Sequence, residues 1–214
     1  MNDLYALKPR FADALTGVRR WCISTGVRPT QLTWLGVAAG TLAGATVASR
    51  SAGLLTALLV TVFLVARLGC ANLDGGVARE TQATTPWGAV ENELGDRLAD
   101  LAMLVGLVLA SAASSDSFAI PVGAGLDLGC LMLLAATLPS WVALAVTAAG
   151  GSRVNGGVMG KTERCAVVVV GALTGWYLVA IAVITVGSTW TALARLQIGA
   201  RELSSTKGNV GGAL

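Results

Sequence analysis

Histidine is absent from the 214 residues of this chain, which removes imidazole catalysis, histidine metal sites and most zinc chemistry. Charge is scarce too. Only 13% of residues are Asp, Glu, Lys or Arg, against roughly 25% in a soluble domain. The four cysteines, Cys22, Cys70, Cys130 and Cys165, form no CxxC pair. They read as small residues packed in or beside helices. The N-terminal stretch 1–11 lacks the apolar core of a signal peptide. A net charge of +3 is modest and reads as loop bias, with no nucleic-acid partner implied.

What remains is apolar. Hydrophobic residues make up 54% of the chain, and mean hydropathy is +0.70. The expected fold class is all-α: a polytopic membrane protein with six transmembrane helices preceded by an amphipathic interfacial helix. Runs near the roughly 20 residues of a spanning helix lie at 32–49, 53–78, 90–114, 119–149, 162–180 and 182–203. The fourth is too long for one straight span and invites a tilt, a kink near Pro139 or an extension past the bilayer. Residues 8–27 mix Phe11, Leu15, Val18 and Ile23 with Arg19 and Arg20, which suits a helix lying in the interface. A solvated helix docked on the bundle is the plainer alternative. Residues 1–203 are expected to form a single membrane-embedded domain, and the Gly/Ser-rich 204–214 a disordered tail.

Charge orients these spans. With the N-terminus inside, the cytoplasmic side receives Lys8, Arg10, Arg19, Arg20, Arg28, Arg79, Arg153, Lys161, Arg164, Arg201 and Lys207, and the outer side only Arg50. The positive-inside bias therefore predicts both termini in the cytoplasm, and an integral protein of the plasma (inner) membrane.

Against this background the segment 72–100 stands out. Asp74, Asp96 and Asp100 sit between apolar runs, and Asn92, Asp96 and Asp100 recur at i, i+4 and i+8 on one helical face. Ionisable groups near membrane depth are costly and face a bundle interior or a wet cavity. Carboxylates sharing a face repel unless a cation sits between them. An oxygen-only ligand set of Asp74, Asn92, Asp96 and Asp100 points to Mg²⁺ or Mn²⁺, one ion or two. Arg67, one turn before Ala71, could neutralise part of the cluster. Glu93 and Arg97 are spaced as an ordinary i, i+4 ion pair.

The residues Asp74-Gly75-Gly76-Val77-Ala78-Arg79, with Gly88 and Asp96, resemble the signature of the CDP-alcohol phosphotransferase family, D-x2-D-G-x2-A-R-x8-G-x3-D-x3-D. Two positions depart: the first Asp falls on Ala71 and the third on Asn92. Val27-Arg28-Pro29-Thr30-Gln31-Leu32-Thr33 is similar to the family's Pro-x-x-x-Thr lead-in to the first span, and Gly160-Lys161-Thr162 to a GK motif before the fifth. The resemblance implies transfer of a substituted phosphate, such as a phosphatidyl group, from a CDP-alcohol to an acceptor alcohol. CMP is released, and the setting is phospholipid synthesis. It implies that Gly75, Ala78, Arg79 and Gly88 serve the nucleotide and its phosphates. Asp96 becomes the base that takes the acceptor hydroxyl's proton. A site at headgroup depth favours CDP-diacylglycerol as donor. The partners implied are that CDP-linked lipid, a small acceptor alcohol with or without a phosphate, membrane lipids, and a second copy as homodimer.

Residues 150–164 form a second polar constellation in which Arg153, Lys161 and Arg164 surround glycines. It is not a P-loop, because Asn155 stands where the first glycine is required. Two readings stay open: a pocket for an anionic acceptor, or a positive-inside loop against lipid headgroups. Two alternatives to an active transferase remain. One is an inactive family member, given Ala71 and Asn92. The other is a transporter using intramembrane carboxylates, which would spread its acids over both halves of the bundle.

Overall fold

The computed structural model describes residues 13–114 and 122–210. Seven α-helices follow in order among them: α1 (Thr16–Ser24), α2 (Pro29–Ser49), α3 (Leu54–Glu80), α4 (Pro86–Ala113), α5 (Val122–Ala148), α6 (Lys161–Thr174) and α7 (Tyr177–Val210). The chain is an all-α, polytopic membrane protein.

Among the described residues four helices are long and apolar enough to cross a membrane: Pro29–Ser49, Leu54–Glu80, Leu126–Ala148 and Tyr177–Ser205. This is two fewer than the six expected. In α4 the charges of Asp96, Arg97 and Asp100 interrupt the apolar stretch. The other shortfall is α6, which has only 14 residues. The expected span 162–180 is cut at Gly175, which takes φ +78 and donates its N–H to the Gly171 carbonyl at 2.8 Å. That left-handed glycine is an ordinary helix stop, and α7 starts two residues later. The last helix continues to Val210, into the stretch expected to be unstructured from 204. Pro139 lies inside α5, which stays helical through it. Residues 1–12, and with them Lys8, Arg10 and Phe11, lie outside the described residues.

Two compact units make up the chain: Met1–Thr46 with Leu58–Met103, and Val47–Ala57 with Leu104–Leu214. In the first unit α1 packs on α3 through a buried cluster of Cys22, Leu32, Leu73 and Val77, flanked by Leu15, Ile23 and Val27. Arg19 of α1 pairs with Glu80 of α3 at 2.8 Å. The opposite side of α1 leaves Val18 and Trp21 exposed, an apolar face and a basic neighbour (Arg20) that suit an interface.

Helix α2 approaches its neighbours closely because its contact stripe lacks side chains. A Cβ at Gly40 would lie 2.8 Å from the Ala99 carbonyl oxygen, and one at Gly44 would strike the Ala102 carbonyl of α4. Gly36, Gly40 and Gly44 recur every four residues, the small-residue spacing that lets spanning helices touch backbone to backbone. Water cannot drive such contacts in lipid, so close van der Waals packing replaces it.

In the second unit the long helices α5 and α7 are linked through Arg195. Its Nη1 donates to the Pro139 carbonyl at 2.8 Å and its Nε to the Gly156 carbonyl at 2.9 Å. Val168 of α6 and Ile181 and Ile184 of α7 are fully buried in this unit. Leu54, Leu55, Leu58, Val62 and Val65 along α3 are exposed, as a lipid-facing stripe should be.

Candidate metal and phosphate site

A small cleft lies within the first unit, lined by three helices. Helix α2 contributes Thr33, Gly36 and Val37; α3 contributes Arg67, Ala71 and Asp74; α4 contributes Asn92, Gly95, Asp96 and Ala99. The linings follow from register. Arg67, Ala71 and Asp74 are i, i+4 and i+7 on α3, and Asn92 and Asp96 are i and i+4 on α4, so each set shares a face.

Asp74 is 3% exposed. Its Oδ2 accepts a hydrogen bond from Thr33 Oγ1 at 2.9 Å, and its Oδ1 accepts one from the Gly75 N–H at 2.6 Å. Across the cleft Asn92 and Asp96 are half-buried. The oxygen-bearing side chains that line the cleft from α3 and α4 are Asp74, Asp96 and the Asn92 carboxamide. They fit one hard cation such as Mg²⁺ or Mn²⁺, which often takes only one or two carboxylates and fills its other positions with water and phosphate oxygens. Ala71 offers no donor. Among the described residues no three His, Cys, Asp or Glu side chains are gathered as a metal cluster.

Asp100 does not line the cleft. Its Oδ1 is paired with Arg67 Nη2, and both residues are buried. Arg67 Nη2 also reaches the Asp96 carbonyl oxygen at 3.5 Å. The spacing that aligns Asp100 with Asp96 thus places it one turn deeper, against an arginine. Glu93 and Arg97 form the expected i, i+4 pair.

The residues anticipated for the nucleotide lie outside the lining. Arg79 is exposed at the end of α3, with its guanidinium close over Gly75. Gly76 is covered by the Arg19 side chain from α1. Ala78 is half-buried. Gly88 sits in the first turn of α4, where its N–H donates to Thr85 Oγ1 at 2.9 Å. Thr85 followed by Pro86 is a well-matched helix start. At the same end Thr30 Oγ1 and Trp87 Nε1 both donate to the Glu91 carboxylate, each at 3.1 Å, joining α2 to α4.

The basic constellation belongs to the second unit and is split by burial. Arg153 is exposed, Lys161 is half-buried in the first turn of α6, and Arg164 is 3% exposed. Three residues of α7 that sequence reasoning passed over hold this loop. Besides Arg195, Thr191 Oγ1 accepts from the Met159 N–H at 2.9 Å. Glu202 accepts from the Ser152 N–H at 2.7 Å and the Ser152 hydroxyl at 2.9 Å. Gly95 and Ala99 are likewise cleft residues whose local sequence carries no signal of it, whereas Thr33 ends the Pro-x-x-x-Thr stretch.

No family-wide sequence profile matches the chain. Individual relatives do. The chain is 30% identical over 173 residues to the phosphatidylinositol phosphate synthase of Mycolicibacterium smegmatis, covering 80% of this chain and 73% of that one. It is 27% identical over 161 residues to the inner membrane protein YnbA of Escherichia coli, covering 75% and 74%. The fold is similar to that of the Mycobacterium tuberculosis phosphatidylinositol phosphate synthase, at 25% identity in two structures. With CDP-DAG bound, that protein gives a TM-score of 0.68, covering 86% of this chain and 92% of that one. With manganese and citrate it gives 0.67, covering 86% and 88%. Homology spanning most of both chains assigns the family: the chain belongs to the CDP-alcohol phosphotransferases.

Proposed function

We propose that this protein transfers a phosphatidyl group from CDP-diacylglycerol to an acceptor alcohol and releases CMP. The observation that carries the reading is the convergence of Asp74, Asn92 and Asp96 from two helices on one cleft. The relative solved with CDP-DAG supports the donor, and the one solved with manganese supports a divalent ion.

In the reaction the acceptor oxygen forms a bond to the phosphatidyl phosphorus, and the phosphoanhydride bond breaks with its electron pair leaving on CMP. A divalent ion held by Asp74, Asp96 and Asn92 would offset the charge of the donor pyrophosphate and of departing CMP. The Asp96 carboxylate takes the proton from the acceptor hydroxyl. Thr33 fixes the Asp74 carboxylate through its hydroxyl. Arg79, at the exposed end of α3, offers two parallel N–H donors to a phosphate. Arg153 and Lys161 supply positive charge for a phosphorylated acceptor. The charge bias of the loops supports a cytoplasmic active site with both termini inside, in the plasma membrane. The naming of the Escherichia coli relative as an inner membrane protein agrees.

CMP release from CDP-diacylglycerol by the purified protein, with Mg²⁺ or Mn²⁺ and a panel of phosphorylated and unphosphorylated alcohols, tests the reading. Release with one acceptor class is expected. No release from folded, metal-supplied protein would favour the second reading, an inactive family member. One observation speaks for that alternative: Ala71 lines the cleft where a ligand is expected.

A further inference from the structure

The cleft contains a positive charge of its own. Arg67 is 1% exposed, lines the same space as Asp74, Asn92 and Asp96, and is paired through Nη2 with Asp100. Its guanidinium keeps its proton even when buried. Two carboxylates, Asp74 and Asp96, line the cleft with Arg67, and a third, Asp100, lies outside the lining against the Arg67 guanidinium. Glu93 is already balanced by Arg97. The local sum is therefore two negative charges. In the donor-free protein one divalent ion brings it to zero, whereas a second would leave two positive charges with no pyrophosphate to offset them, in a partly buried setting, which is costly. The position one turn after Arg67, Ala71, faces the cleft and provides no oxygen for a further ion.

We infer that the site takes a single divalent cation, with the Arg67 guanidinium, held by Asp100, serving as a fixed second positive charge beside it. The inference rests on the transferase reading of Asp74, Asn92 and Asp96 as ligands. It gives Arg67 a positioning and charge-balancing role, and it makes Asp100 a partner of Arg67 instead of a metal ligand.

Mn²⁺ binding to the full chain in detergent, counted by equilibrium dialysis and by electron paramagnetic resonance, tests it without reference to turnover. One Mn²⁺ per chain is expected. Two tightly held ions overturn the inference and leave the transferase reading intact. No bound ion, in protein whose helical content is unchanged, overturns both. Arg67→Met should tighten Mn²⁺ binding by about tenfold or more, and Asp100→Asn should weaken it by about as much, because the two side chains carry opposite charges near one ion. A pair acting only as scaffold would weaken binding in both variants, and that result overturns the proposal. The double variant Arg67→Met with Asp100→Asn avoids an unpaired buried carboxylate and restores the net charge. Its affinity should return to within about threefold of wild type. A double variant as weak as Asp100→Asn alone overturns the inference even where Arg67→Met does not fold.

Discussion

The hydroxyl of Thr33 on α2 donates to Oδ2 of Asp74 on α3 at 2.9 Å, and both residues line one cleft. The bond fixes the carboxylate's rotation. Thr33→Val keeps the shape and removes the donor. It should cost about 1–3 kcal/mol of stability, the usual penalty for stranding a buried polar partner. CMP release should fall at least severalfold, and Thr33→Ser should recover most of it. Equal activity in the Val and Ser variants would show that the bond plays no positioning role.

Asp74→Asn and Asp96→Asn should each lower CMP release by a factor of about 10² or more. Chelation should abolish it, and Mg²⁺ or Mn²⁺ should restore it. Full turnover in either folded variant would remove that residue from the chemistry.

The close approach of α2 to α4 is tested through Gly40. Gly40→Val forces a side chain against the Ala99 carbonyl oxygen, 2.8 Å from where its Cβ would sit. Overpacking of this kind costs about 1–3 kcal/mol, read as a lower melting temperature in detergent. Gly17→Ala on α1 meets nothing within 4 Å and should be silent. A silent Gly40→Val would mean that the helices can separate at little cost.

Acceptor recognition is tested best at Arg153 and Lys161. Arg164 is buried, so its removal is expected to damage folding as well. Arg153→Ala or Lys161→Ala should raise the KM for a phosphorylated acceptor by roughly tenfold or more, while the KM for the CDP donor stays put. A parallel rise in both would assign these residues to the donor or the membrane surface. No change in either would leave them as topology signals.

Arg195→Met removes both hydrogen bonds that join α7 to Gly156 and Pro139. A loss of about 1.5–3 kcal/mol is expected for bonds from a charged donor. Hydrogen exchange of residues 151–160 should accelerate ahead of the rest of the second unit. Uniform acceleration would show that the anchor supports the whole unit instead of the loop.

The acid cluster was legible because carboxylates in an apolar chain have few explanations. Helical periodicity then carried Asn92 and Asp96 to one face, where the structure finds both. The same periodicity could not tell a cleft-facing carboxylate from one meeting a neighbouring helix, so the pairing of Asp100 with Arg67 needed the fold. The count of long apolar helices among the described residues differs from the expected six at two local features. Asp96, Arg97 and Asp100 cluster within α4, and Gly175 stops α6 although its flanks are apolar enough to hide the break. The signal for α2 packing was present in the spacing of Gly36, Gly40 and Gly44. Thr191, Arg195 and Glu202 lie on one long helix whose sequence says nothing of the distant backbone they hold.

Those three anchors bear on the energetics of any ligand that the loop receives. Residues 150–160 contain five glycines, and a free chain of that composition surrenders much backbone entropy each time it closes on a guest. Here Thr191, Arg195 and Glu202 have already imposed one arrangement while the protein folds. The ordering is settled in advance, so a small solute gains affinity from contacts that need not first organise their own support.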